Sequence, residues 1–205
     1  VNKVHFILAK FSNEKVLINE ILSQLDKYRS EYKLESNEHY FSEYASENRF
    51  DSKEIIFIKR VLQVGLPEEI REKITDYLFK KYVSADERGF SEELYMSESN
   101  VKTMIDNGMH FGSHGYKHYW LSSLNKDNQE KEILKSINFL KKMGSDIDSW
   151  TMCYPYGDYN SATLSLLKKH NCKAAFTTQV RIANIDKDNK YEIPRLDTND
   201  FLKKI

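Results

Sequence analysis

Apolar and polar positions are spaced differently on the two sides of Gly108. Before it, apolar side chains recur every three or four residues, which is typical of helices with one buried face. Helix starts are indicated at Asn13 and Ser52, and Pro67 suits the first position of a further helix. The short run Lys3–Ala9 contains β-branched residues and predicts a buried strand.

After Gly108, short apolar runs alternate with helical patterns. The runs at 110–114, 150–154 and 174–178 predict strands, and the stretches at 126–143 and 161–170 predict helices. This alternation favours an α/β fold with a parallel sheet or barrel and helices outside it. Right-handed connections would bring the carboxyl ends of the strands to one edge, where such folds carry their chemistry.

Composition excludes several functional classes. The 205 residues contain 31 Lys plus Arg and 31 Asp plus Glu, and this balance argues against nucleic acid as a partner. With 7 Gly and 3 Pro, the chain has few of the turn-forming residues that an all-β sandwich needs. No apolar run approaches the roughly 20 residues that cross a bilayer. Two cysteines, Cys153 and Cys172, are expected to be reduced and partly buried.

The compartment and the oligomeric state are not fixed by the sequence. Residues 1–10 lack the basic stretch, apolar core and cleavage site of a signal peptide, which slightly favours the cytoplasm. No pattern indicates how many copies of the chain associate.

Two histidines stand next to a predicted strand end. His114 ends the 110–114 run, and His118 follows four residues later. If a helical turn began at His114, both imidazoles would project from one face and could bind one metal ion. Surface or capping histidines show the same spacing, and the position after a strand favours the metal site.

An aromatic loop follows the next predicted strand. Pro155 and Gly157 indicate a tight, rigid turn. Tyr154, Tyr156 and Tyr159 could stack on the apolar faces of pyranose rings, or they could simply pack within the turn. We assign Tyr154, Pro155 and Tyr159 to substrate binding.

Taken together, these segments resemble the polysaccharide deacetylase family, the NodB-homology group of carbohydrate esterases. The metal motif of the family is a His, a small hydroxyl residue, two variable residues and a second His. His114 to His118 is similar, with Gly115 in place of the usual Ser or Thr. A later motif has Arg, any residue and then Pro-Tyr-Gly, and Cys153 stands here where Arg is expected. The match is strong over about residues 100–200.

The resemblance implies a distorted (β/α) barrel of the NodB-homology type. A single domain over 1–205 is expected, with about 30–100 as a helical insertion and 108–205 as the motif-bearing part. The implied reaction is metal-dependent hydrolysis of N-acetyl groups on a sugar or polysaccharide. His114 and His118 would bind a divalent metal ion, preferably zinc, and the backbone N–H of Tyr156 would stabilise the oxyanion.

A charged segment near the end of the chain could serve the same site. In the family, the Arg replaced here by Cys153 orients a catalytic Asp. We expect Arg195 to reach that position from a neighbouring strand end, with Asp197 or Asp200 as its partner. Arg195 and Asp197 are therefore candidate catalytic residues, and a structural ion pair is the alternative.

Two family motifs are not found in the sequence. No Asp-Asp pair occurs, although in the family it supplies a metal ligand and the catalytic base, and no His follows His170. We expect the chain to start after the Asp-Asp motif, to form a barrel incomplete at its N-terminus and to be impaired in catalysis. The alternative is a non-catalytic carbohydrate-binding or scaffold protein derived from a deacetylase.

Overall fold

The computed structural model describes residues 2–48 and 50–201. These residues fall into two compact units, one ending at Tyr95 and the other beginning at Met96. Among the described helices, none combines the length and the apolar character that crossing a bilayer requires.

The first unit is helical. Side chains of Asn13, Ser36, Ser52 and Asp86 accept hydrogen bonds from the first free N–H groups of their helices, which fixes where those helices begin. A π-helical turn at Val61–Gly65 extends the fourth helix. The helices are α1 (Asn2–Leu8), α2 (Glu14–Tyr32), α3 (Asn37–Tyr44), α4 (Lys53–Arg60), α5 (Glu68–Tyr82) and α6 (Glu87–Leu94).

The predicted strand at Lys3–Ala9 is wrong, because this segment forms helix α1. Val4 and Ile7, three residues apart, are both buried in the core of the first unit. Phe6 packs edge-on against Phe90, with ring centroids 4.9 Å apart. A seven-residue apolar run suits a strand and a short helix equally, and here packing at helical spacing decides between them.

The second unit alternates helices and strands as the sequence predicts. Helix α8 begins after the cap Asn125 and ends at Gly144, whose φ of 91° suits the left-handed residue that closes a helix. The elements are α7 (Glu98–Asp106), α8 (Lys126–Met143), β1 (Thr151–Cys153), α9 (Ser161–Lys169) and β2 (Ala174–Phe176).

Strands β1 and β2 pair in parallel, with Met152 opposite Ala175. A single parallel bridge joins Ser113 to Met152 on one side, and another joins Phe176 to Ile193 on the other. The predicted strand at 110–114 is thus reduced to one bridge. In the part of the chain that the structure describes, these four segments form an open row in chain order, which confirms the parallel α/β arrangement.

The core of the second unit lies between this row and its helices. Trp150 and Met152 are buried there with Leu166 and Leu167 of α9. Cys172 is also buried, Cys153 is half-buried, and both thiols are free, as predicted.

Candidate functional site

The three motif-bearing segments meet at one edge of the row. His114 follows the bridge at Ser113, Tyr154 follows β1, and Arg195 comes two residues after the bridge at Ile193. Because the paired segments are parallel, their carboxyl ends lie on the same side. This edge is where chemistry is expected in an α/β fold.

His114 and His118 are in contact. Their ring centroids lie 4.5 Å apart and the rings are nearly perpendicular, at 82°. The Nδ1 atom of His114 is 2.8 Å from the carbonyl oxygen of Cys153. A carbonyl can only accept, so the neutral His114 ring carries its proton on Nδ1 and keeps the Nε2 lone pair available. Such a bond to the far nitrogen is typical of metal-binding histidines.

The expectation that the two histidines share a helical turn is wrong. The segment between them is a loop with two left-handed residues, Gly115 at φ 73° and His118 at φ 59°. A Cβ at Gly115 would also lie 3.2 Å from Cγ of Pro155, so two constraints favour glycine at this position. The loop, and not the helical period, brings the imidazoles together.

Helix α8 holds this loop through two side chains that the sequence analysis did not identify. The Oε2 atom of Glu132 accepts hydrogen bonds from Tyr116 N at 3.2 Å and Lys117 N at 2.7 Å. The hydroxyls of Ser136 and Ser113 are 2.7 Å apart. Glu132 and Ser136 lie on the buried face of α8, and polar residues on an apolar face are the signal that could have revealed them.

Tyr156 borders the histidine pair. Its ring lies edge-on to His118, with centroids 4.7 Å apart, and stacks on Trp120 at 4.7 Å and 13°. The residue has a left-handed backbone at φ 59°, inside a short turn at Pro155–Gly157. The turn thus packs a tyrosine ring against His118, one of the two predicted metal ligands.

A carboxylate fastens this turn to the segment after the histidines. Asp158 Oδ2 accepts from the Ser122 N–H, and Oδ1 accepts from the Ser122 hydroxyl, both at 2.7 Å. Trp120, two residues before Ser122, stacks its ring on Tyr156. Hydrogen bonds and ring stacking therefore join the same two segments.

Tyr154 and Pro155 are buried, which corrects the expectation that they form a surface for sugar. The Tyr154 hydroxyl donates to the carbonyl of Tyr191 at 2.6 Å, and burial raises its pKa well above the ordinary range. Tyr159 is half-buried, stacks on Tyr154 at 4.4 Å and donates to Glu192 at 2.9 Å. Tyr154 and Pro155 therefore pack within the turn, which was the alternative to sugar binding.

Arg195 lies beside Cys153, the residue that stands where the family motif has Arg. Its Nη1 atom is 3.6 Å from the Sγ atom of Cys153. Asp197 instead accepts from the backbone and side-chain nitrogens of Asn199, at 2.8 and 2.7 Å. Arg195 and Asp197 form no ion pair within the described residues, because the carboxylate of Asp197 closes its own turn.

The histidine pair fits two positions of a divalent metal site. Neutral imidazoles suit zinc, and the bond from His114 to Cys153 orients one of them. Over residues 2–48 and 50–201, no group of three or more His, Cys, Asp or Glu side chains is arranged to hold a metal ion. These residues therefore offer two ligands of a coordination sphere.

Comparisons with known proteins agree with the motifs. A family model described as polysaccharide deacetylase matches residues 66–175. A peptidoglycan deacetylase of Helicobacter pylori (strain ATCC 700392 / 26695) is 27% identical over 114 residues, which make up 54% of this chain and 36% of that protein. The chain thus spans about a third of the length of this curated relative.

Two solved structures also match the chain. One is the Streptococcus pyogenes deacetylase PplD in complex with acetate, at 19% identity and a TM-score of 0.47, covering 91% of this chain and 86% of that one. The other is IcaB from Ammonifex degensii, at 23% identity and a TM-score of 0.43, covering 51% and 48%. Because the family model matches more than half of its residues, the chain belongs to the polysaccharide deacetylase family.

Proposed function

We propose that this chain hydrolyses N-acetyl groups on a glycan, with activity impaired by the lack of an Asp-Asp pair, and that His114 and His118 bind a divalent metal ion, preferably zinc. The observation that carries the proposal is the contact between the two rings at the carboxyl edge of the strands, with Nδ1 of His114 bonded to Cys153. The matched peptidoglycan deacetylase suggests an N-acetylated cell-wall polymer as substrate. We place the site in a distorted (β/α) barrel to which the four-segment row contributes.

The residues of the chain would divide the work as follows. A bound divalent metal supplies Lewis-acid activation of water and of the acetamide carbonyl. His114 is held in the tautomer that leaves Nε2 free to bind, and His118 is held beside it. The backbone N–H of Tyr156 stabilises negative charge on the carbonyl oxygen. Arg195 adds positive charge next to Cys153, at the border of the site.

Metal content tests the first half of the proposal. Elemental mass spectrometry should find zinc near one equivalent in the purified chain and little in a His114→Ala/His118→Ala variant. A His39→Ala/His110→Ala variant is the matched control, because these exposed histidines bond to Glu43 and Thr151 and not to each other. Equal zinc in both double variants would contradict the assignment of the ligands.

Acetate release tests the second half. The chain loaded with zinc should release acetate from N-acetylated peptidoglycan fragments, and removal of the metal with a chelator should stop the release. The family match supports hydrolysis over the non-catalytic alternative. Glycan binding that persists without acetate release, with zinc present at one equivalent, would favour that alternative.

A further inference from the structure

Glu132 is a buried carboxylate whose partners are backbone N–H groups. The residue is 5% exposed, and within the described part of the chain it forms no ion pair. Its Oε2 atom accepts from the N–H groups of Tyr116 and Lys117, the two residues directly before His118. A buried carboxylate without such bonds would be strongly destabilising, so this arrangement fixes the loop relative to α8.

The loop between the histidines needs an acceptor from outside. Because it is not helical, the N–H groups of Tyr116 and Lys117 are not paired one turn back along a helix. A Ser or Thr at position 115, as the family motif has it, could accept from an N–H one or two residues further on. Gly115 has no side chain, and its φ of 73° and the nearby Pro155 disfavour one.

We propose that Glu132 is a positioning residue that takes the place of the missing motif hydroxyl and sets the geometry of His114 and His118 for metal binding. The metal-binding part of this inference rests on the proposed function. Ser136, one turn further along α8, bonds to Ser113 and holds the other end of the same loop. Helix α8 thus positions both ends of the segment that carries the ligands.

Titration with Co²⁺, followed by its visible absorption, measures the effect on metal binding. Glu132→Leu removes the acceptor and should raise the Kd for Co²⁺ by about 10–100-fold, as loss of a group that orients a ligand does. Glu132→Gln keeps an acceptor oxygen and should recover most of the affinity. Wild-type affinity in Glu132→Leu would overturn the proposal.

Gln129→Leu is the matched control. Gln129 is also buried on α8, but it bonds to Leu124 and Thr163, away from the loop. We expect this variant to lose stability and to keep the wild-type Kd for Co²⁺. An equal loss of affinity in Gln129→Leu and Glu132→Leu would show a general effect of destabilising α8 and would overturn a specific role for Glu132.

Amide hydrogen exchange provides a readout that does not need metal. In the metal-free protein the amides of Tyr116 and Lys117 should be protected, and Glu132→Leu should speed their exchange by at least about 10-fold while Gln129→Leu does not. If wild-type protein binds no Co²⁺ but this difference is found, the proposed function fails and the positioning role stands. Equal exchange in wild type and Glu132→Leu would overturn the role even where Co²⁺ binds.

Discussion

Gly157 combines a left-handed backbone with a close neighbour. Its φ is 72°, and a Cβ there would overlap the Oγ1 atom of Thr178. We expect Gly157→Ala to lower the free energy of unfolding by about 3 kcal/mol or more, because backbone strain and steric overlap add. Urea unfolding followed by circular dichroism measures the loss.

Gly108 offers the matched control for this substitution. Its φ is 82°, and none of the described residues comes within 4 Å of a Cβ built there. Gly108→Ala should therefore show the backbone strain alone, about 1–2 kcal/mol. Adding Thr178→Ala to Gly157→Ala should recover part of the loss. Equal losses for the two glycine variants would contradict the packing of Gly157 on Thr178.

Cys172 makes stability depend on pH in the alkaline range. Burial raises the pKa of its thiol from 9.0 to about 11, so the folded state favours the neutral form. This contribution is complete below pH 9 and is lost as the pH rises towards 11, with a size of order 2 kcal/mol. The free energy of unfolding should fall over that window, and less steeply in Cys172→Ala.

At pH 8, iodoacetamide should modify half-buried Cys153 well before Cys172.

Asp158 joins the turn at Pro155–Gly157 to the segment at Ser122, because its carboxylate accepts two hydrogen bonds from Ser122. Asp158→Ala should cost about 2–3 kcal/mol because both bonds involve a charged acceptor. Ser122→Ala removes the hydroxyl bond but keeps the backbone bond, and it should cost about half as much. The near-ultraviolet circular dichroism of the Trp120–Tyr156 stack should weaken in the same order. An unchanged stack in Asp158→Ala would contradict the coupling of the two turns.

Elements with strong local signals are the ones that the sequence predicts. Helix α8 has a cap at Asn125, an apolar stripe and a stop at Gly144, and its observed bounds are those predicted. The Lys3–Ala9 segment lacks such signals, and burial of Val4 and Ile7 makes it a helix instead. Local pattern is decisive where caps and period agree, and tertiary packing decides short apolar runs.

In the candidate site, too, local sequence signals predict some features and tertiary contacts determine the others. Spacing and strand position predicted that His114 and His118 belong together, and their rings are in contact. The sequence could not show that a loop with two left-handed residues brings the two imidazoles together. Nor could it show that Glu132 of α8 accepts hydrogen bonds from this loop. The hydrogen bonds of Glu132 join residues 15 and 16 positions apart, a separation that no local sequence pattern records.

At the scale of the whole molecule, every candidate residue lies in the unit that begins at Met96. The sequence predicts one domain over 1–205 with a helical insertion at about 30–100, and the family match begins at Leu66, inside that range. The contacts divide the described residues between Tyr95 and Met96. The chemistry proposed for the chain therefore depends on the packing of the second unit.

An inserted protease site tests this division. Tyr95 and Met96 are 54% and 57% exposed and lie between the end of α6 and Ser97, the cap of α7. A short cleavage sequence between Tyr95 and Met96 should change the free energy of unfolding by less than about 1 kcal/mol, because insertions are tolerated at exposed chain segments outside helices. After cleavage, the helical circular dichroism and the zinc bound through His114 and His118 should persist. As a control, the same insertion between Leu134 and Lys135 interrupts α8 beside Glu132 and should abolish zinc binding. Loss of zinc after cleavage between Tyr95 and Met96 would show that the second unit does not form the site by itself.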